Sequence, residues 1–165
     1  MGPGELGDER RIPVLTGRAW AFADGLTARD ILPARAAALP PLEARTYLFG
    51  DLADGLAADI RADDVLVAGH LLGGGPGGAE AARALRAAGM IAVVAASFAA
   101  DFDAHALAAG LVPLEVHAPA IFHTGQRLRI NCEGGTIANL SSGDRQPVRN
   151  LTETLLARLR ELIGR

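Results

Sequence analysis

Apolar positions fall into short blocks whose spacing changes from one segment to the next. From Val14 to Ala23 they alternate loosely around Trp20 and Phe22, which predicts a strand pair or hairpin. Thr27 to Pro33 reads as a turn closed by the proline, and Leu42 to Leu48 and Leu52 to Ile60 as short helices. Val65 to Gly69 is apolar without alternation, as expected of a strand covered on both faces. A glycine-rich stretch, Gly73-Gly74-Gly75-Pro76-Gly77-Gly78, leads into Ala79 to Ala88, where Ala81, Ala82, Leu85 and Ala88 form one helical face and Gly89 stands at the helix end. Ile91 to Ala95 is a second buried strand, so strand, loop, helix and strand predict a parallel βαβ crossover. Ala99 to Ala109 reads as a helix ending at Gly110, and Leu111 to Val116 as a third strand. Arg127 to Cys132 and Thr136 to Leu140 form a hairpin around Glu133-Gly134-Gly135. Leu151 to Ile163 closes the chain as an amphipathic helix, with Leu151, Leu155, Leu159 and Leu162 on one side.

Composition narrows what such a chain can do. Its 165 residues suit one domain that buries about two thirds of its extended-chain surface. Half the residues are hydrophobic and 21% are charged, the balance of a folded protein. A net charge of -3 gives no electrostatic reason to expect nucleic acid or an anionic membrane as partner. No apolar run approaches the ~20 residues that span a bilayer, and Met1 to Arg11 lacks an apolar signal core. Residues 1–11 are therefore expected to be a disordered leader, residues 12–165 a single α/β domain, and the protein cytoplasmic. Cys132 is the only cysteine, so this chain alone offers neither an internal disulfide nor a multi-cysteine metal site. All 16 basic residues are arginine, which excludes Schiff-base and P-loop lysine chemistry from this polypeptide.

The glycine stretch is the segment with functional chemistry of its own. Backbone N–H groups at a helix start can hold an anion or a developing oxyanion. Gly73, Gly75 and Gly78 match Gly-x-Gly-x-x-Gly in form, but no acid follows about twenty residues later at a strand end to take a ribose. Glycines that let the backbone turn and approach its neighbours account for the same pattern. Candidate acid–base groups are His70, Glu80, Asp101, Asp103, His105, His117 and His123. His70 ends a strand and Glu80 opens a helix beside the same loop, so both could line one cleft, although a helix-dipole carboxylate is the preferred reading of Glu80. Asp101 and His105, at i and i+4, form either an exposed pair or two ligands of a metal site that needs a third. His117 and His123 bracket a loop and read as solvated, and Cys132 as a small buried hydrophobe.

Several stretches in order resemble the small subunit of 3-isopropylmalate dehydratase, equivalent to the swivelling domain of aconitase. Gly17 to Asp24 resembles that family's opening strand, and Asp30-Ile31-Leu32-Pro33-Ala34-Arg35 its Gln-Ile-Ile-Pro-Ala-Arg. Leu48 to Leu52 looks like its Phe-Glu-Asp-Leu helix, and Asp64 to Gly69 like the strand before its active-site loop. Ala87 to Ala99 is similar to Lys-Ala-Ala-Gly-Ile-x-Ala-Val-Ile-Ala-x-Ser-Phe-Ala, and Gly135 to Gly143 to its late hairpin. The resemblance implies a swivel-type β/β/α fold with a parallel βαβ core and a C-terminal helix. It also implies that the catalytic pieces differ. The family's Gly-x-Gly-Ser-Ser-Arg-Glu corresponds to Gly73 to Ala79, so its basic serine falls on Pro76, its second serine on Gly77 and its substrate arginine on Gly78. Ser-Phe-Ala-Arg has become Ser97-Phe98-Ala99-Ala100, and Asp-Thr-Asp has become Thr27-Ala28-Arg29, leaving Asp24 of that acidic cluster.

Proline cannot act as a base, and losing two arginine forks removes charged hydrogen bonds of ~1.5–3 kcal/mol each. Two expectations follow. In the first, the chain is a diverged enzyme component that dehydrates, isomerises or cyclises a small molecule less anionic than isopropylmalate. Gly73, Gly74, Gly75, Gly77 and Gly78 would then contact substrate, and His70, Glu80, Asp101, Asp103 and His105 would move protons. In the second, it is a non-catalytic small subunit that stabilises or regulates a large one. In either case a 4Fe-4S cluster would come from the large subunit, and homo-oligomerisation is the alternative assembly.

Overall fold

The computed structural model describes residues 10–164, so most of the expected leader lies outside the described residues. The framework is a seven-stranded sheet in the order β4-β3-β2-β1-β5-β6-β7. Strands β1 (Leu15–Ala21), β2 (Val65–Val67), β3 (Ala92–Ala95) and β4 (Val112–Glu115) run parallel. β5 (Arg127–Asn131), β6 (Thr136–Asn139) and β7 (Arg145–Pro147) continue the sheet antiparallel. Alternation divides the short parallel strands between two cores. Leu66, Val93 and Ala95 face a layer of helices. Val65, Val67, Ala92 and Val94 face inward onto Leu128, Ile130 and Ile137 of the antiparallel half. The sheet curls around this second core until its ends meet, with Val116 just beyond β4 bridging Val148 just beyond β7.

Six α-helices accompany the sheet among the described residues: α1 (Ala28–Ile31), α2 (Pro41–Ala44), α3 (Leu56–Asp59), α4 (Gly78–Ala87), α5 (Phe102–Ala109) and α6 (Glu153–Ile163). Among the described residues no helix is long and apolar enough to cross a membrane. The parallel βαβ crossover is present, with α4 between β2 and β3. Gly110 ends α5 with φ 97°, as its place in the sequence implies. The hairpin of β5 and β6 is also as expected, with Asn131 Oδ1 accepting from the Gly134 N–H at 2.8 Å across its turn.

Other elements differ from expectation. Val14 to Ala23 holds one strand, not a hairpin, and Gly17 lies inside it because the backbone of Asp63 passes too close for any side chain. Thr27 to Pro33 is a capped helical turn. Thr27 Oγ1 accepts the Asp30 N–H at 3.0 Å, and Asp30 Oδ2 accepts the Thr27 N–H at 2.9 Å. The helix expected over Leu52 to Ile60 is confined to α3, since Gly55 adopts φ 79° immediately before it. α6 begins at Glu153, capped by Thr152, so Leu151 precedes it. Its core face comprises Leu155, Leu156, Leu159 and Ile163, and Leu162 is 40% exposed.

Buried Asp64 joins β1 to the loop before β2. Its Oδ2 accepts from Arg18 Nη2 at 2.9 Å, Trp20 Nε1 at 2.7 Å and the Arg61 N–H at 2.8 Å. Opposite, Glu133 accepts from the Ile12 N–H at 3.1 Å and from Arg160 Nη2 at 3.1 Å, tying the entry to β1 and α6 to one side chain. The Arg160 guanidinium, aided by that N–H, holds the Glu133 carboxyl below its usual range.

Candidate functional site

Four parallel strands deliver their following loops to one edge of the sheet, where ligands of open α/β folds collect. A cleft of about 370 Å³ opens there, lined from the end of β1 by Phe22, Ala23 and Asp24, and from the end of β2 by Ala68, Gly69 and His70. Ala96 after β3 and His117 to Ala120 after β4 complete it. Asp24 is seated by geometry that needs glycine: a Cβ at Gly69 would lie 1.8 Å from Asp24 Oδ1. That oxygen accepts the His70 N–H at 2.7 Å. The cleft thus brings a carboxylate and two imidazoles, His70 and His117, to a mostly apolar wall.

From His70 the chain enters the glycine loop, held between the segments after β1 and β3. Ser97 Oγ accepts the Leu71 N–H at 2.9 Å, and Leu26 O accepts that of Gly73 at 2.7 Å. Gly74 O accepts the Ala28 N–H at 2.9 Å. Gly73, Gly75 and Gly77 all have positive φ, and Leu71, 61% exposed, has φ 58°. The glycines also make room for neighbours. A Cβ at Gly73 would strike the Phe102 ring at 2.1 Å, one at Gly77 would lie 2.8 Å from Arg29 Nη1, and one at Gly78 3.1 Å from His105 Cδ2. Helix α4 therefore starts between Arg29, carried by α1, and His105, carried by α5.

The expected acid–base residues separate accordingly. His70 lines the cleft, and His105 flanks the start of α4. Glu80 occupies the first turn of α4 and is not among the cleft-lining residues. Asp101, exposed with φ 68°, precedes α5 without capping it. Asp103 faces a different depression, with Asn150, Thr152 and Arg158. Among the described residues no three His, Cys, Asp or Glu side chains gather to hold a metal. Cys132 is buried, and burial, with the charge of Glu133 adding to it, pushes its thiol up to about 11, so a lone neutral thiol does not fit cluster ligation. Asp24, left from the family's acidic cluster, and His117, read from the sequence as a solvated loop residue, both line the cleft, and Ser97, which spacing along the chain does not mark, braces the adjoining loop. They converge because β1, β3 and β4 run parallel.

The curled mixed sheet with its crossover and C-terminal helix is the architecture of aconitase-type small subunits and swivel domains. Residues 57–119 match the Aconitase C-terminal domain. The chain is 33% identical to the 3-isopropylmalate dehydratase small subunit of Nautilia profundicola over 79% of each chain. It is 30% identical to small subunit 1 of the Thermotoga maritima enzyme over 90% of each, and 28% identical to the methanogen homoaconitase small subunit of Methanothermobacter thermautotrophicus over 90% of this chain and 86% of that one. The crystal structure of 3-isopropylmalate dehydratase from Methanocaldococcus jannaschii superposes with a TM-score of 0.80 at 22% identity, covering 90% of this chain and 94% of that one. This chain belongs to the 3-isopropylmalate dehydratase small-subunit family.

Proposed function

We propose that the chain is a diverged small subunit of a cytoplasmic hydro-lyase, active on a substrate less anionic than isopropylmalate in complex with a large subunit that supplies the iron–sulfur cluster. The observation that carries this reading is the cleft itself. It keeps Asp24, His70 and His117 at the ends of the parallel strands, while the adjoining loop from Gly73 to Gly78 presents no hydroxyl or guanidinium of its own. A proton-transfer step then falls to the imidazoles, whose ring nitrogens can donate or accept a proton. Asp24 fixes the backbone at His70. The apolar wall of Phe22, Ala68 and Ala96 suits a hydrocarbon portion of the substrate.

Co-expression with a 3-isopropylmalate dehydratase large subunit tests it. The expected result is a brown co-purifying complex that dehydrates or isomerises a hydroxy acid, with His70→Ala or His117→Ala lowering kcat about 100-fold. If neither variant, nor His105→Ala, changes turnover of an active complex, the catalytic role is wrong and the chain only stabilises its partner. Normal turnover of isopropylmalate would overturn the proposed change of substrate.

A further inference from the structure

We infer that the outer face of β1, β5, β6 and β7 binds an extended, acidic segment of a partner protein. The inner face of these strands closes the second core, and alternation turns the intervening residues outward. The register sets Arg18 of β1 directly opposite Arg127 of β5, and places Arg129 and Arg145 on either side of Ala138 of β6. No outward position of the four strands holds a carboxylate. Of the acids nearby, buried Asp64 is engaged by Arg18, Trp20 and the Arg61 N–H, and Asp144 accepts from Ser142. Asp63 stands at the border, where Arg18, Arg61 and Arg127 line a depression of about 260 Å³. Among the described residues no carboxylate pairs with Arg127, Arg129 or Arg145. The chain carries a net charge of -3, so this positive excess is local. Like charges directly opposite each other across strands are destabilising, and an acidic partner relieves them.

Apolar surface lies in the same face. Leu140, whose N–H donates to Arg127 O at 2.8 Å, is 54% exposed, and Pro147 ends β7 exposed. Arginine around exposed apolar side chains is a composition that protein interfaces favour. Nucleic acid fits less well. Trp20 has its ring covered by the Arg18 guanidinium at 4.8 Å and its indole N–H held by Asp64, so it offers no open ring for a base to stack on. Arg127 and Arg129, two positions apart on one strand, are spaced about 6.8 Å, which is also the repeat of alternate side chains in an extended segment. A segment laid along β5 therefore meets both guanidinium groups with acids at alternate positions. The face shares no residue with the cleft, so the inference is independent of the proposed activity.

Amide NMR of the full chain alone tests it, with the peptide acetyl-Glu-Ser-Leu-Ser-Glu-Ser-Glu-amide as probe. Saturable shifts are expected at the amides of Arg127, Arg129, Ala138, Leu140 and Arg145, with affinity falling at least threefold between roughly 50 and 300 mM NaCl. Arg127→Gln combined with Arg129→Gln should weaken binding at least tenfold and leave the melting temperature equal or higher; Leu140→Ser should weaken binding at least threefold. A melting temperature that falls in the double variant would show the arginines to be structural and overturn the surface. So would an absence of shifts, or binding unchanged in the double variant or when the peptide's glutamates are replaced by glutamines. Tighter binding of a heptameric oligouridylate at the same salt would overturn the protein partner in favour of nucleic acid. Shifts at these amides that grow with protein concentration, without peptide, would overturn it in favour of a second copy of this chain.

Discussion

Gly73 and Gly75 share a positive φ but not a neighbourhood. A Cβ at Gly73 collides with the Phe102 ring, whereas one at Gly75 meets nothing within 4 Å. Gly75→Ala therefore pays only for its left-handed backbone, about 1–2 kcal/mol. Gly73→Ala adds overpacking against a buried ring and is expected to cost about 2–4 kcal/mol in total. Urea unfolding of the two variants separates the terms, and equal losses would show that Phe102 yields freely. The sequence announces a glycine loop, but not which glycine is pinned by an aromatic ring. That depends on α5 packing over the loop through Phe102, far along the chain from Gly73.

Among the elements, α6 shows how a correct helix can carry a misassigned face. Leu159 is fully buried and Leu162 largely exposed, because the stripe that meets the inner core is centred between Leu159 and Leu156. Leu159→Ala should cost about 2–5 kcal/mol, and Leu162→Ala should stay within about 0.5 kcal/mol, both read by thermal unfolding. The same helix carries the pH dependence. The folded-state pKa of Glu133 lies below its unfolded value, so its contribution is present above the unfolded value and fades as pH falls through the folded one. As an exposed pair it is worth about 0.2–1 kcal/mol. Glu133→Gln should therefore be slightly less stable at pH 7 and indistinguishable from wild type near pH 2, measured as the difference between the two melting curves.

Over the whole molecule, closure of the curled sheet rests on contacts made far apart in sequence. Arg149 donates Nη2 to Ala96 O at 2.7 Å and its N–H to Glu115 O at 2.8 Å, while Asn150 Oδ1 accepts the Glu115 N–H at 3.0 Å. Arg149→Ala removes one charged hydrogen bond, worth about 1.5–3 kcal/mol, and should speed amide exchange at Val116 and Val148 before the rest of the sheet. Uniform exchange would show that the junction is not a separate unit. Periodicity along the chain determined the parallel crossover, the β5–β6 hairpin and the amphipathic closing helix, because each is set by neighbours within a few turns or one short connection. Pattern did not reveal β7, whose three residues are largely polar and end in proline. The sequence placed His70 at a strand end beside the loop, but tertiary structure decided its company: Asp24, His70 and His117 lie far apart along the chain and meet because parallel strands bring their following loops to one edge. Arg29 met Gly77 for the same reason, through a packing of α1 on α4 that no local spacing encodes.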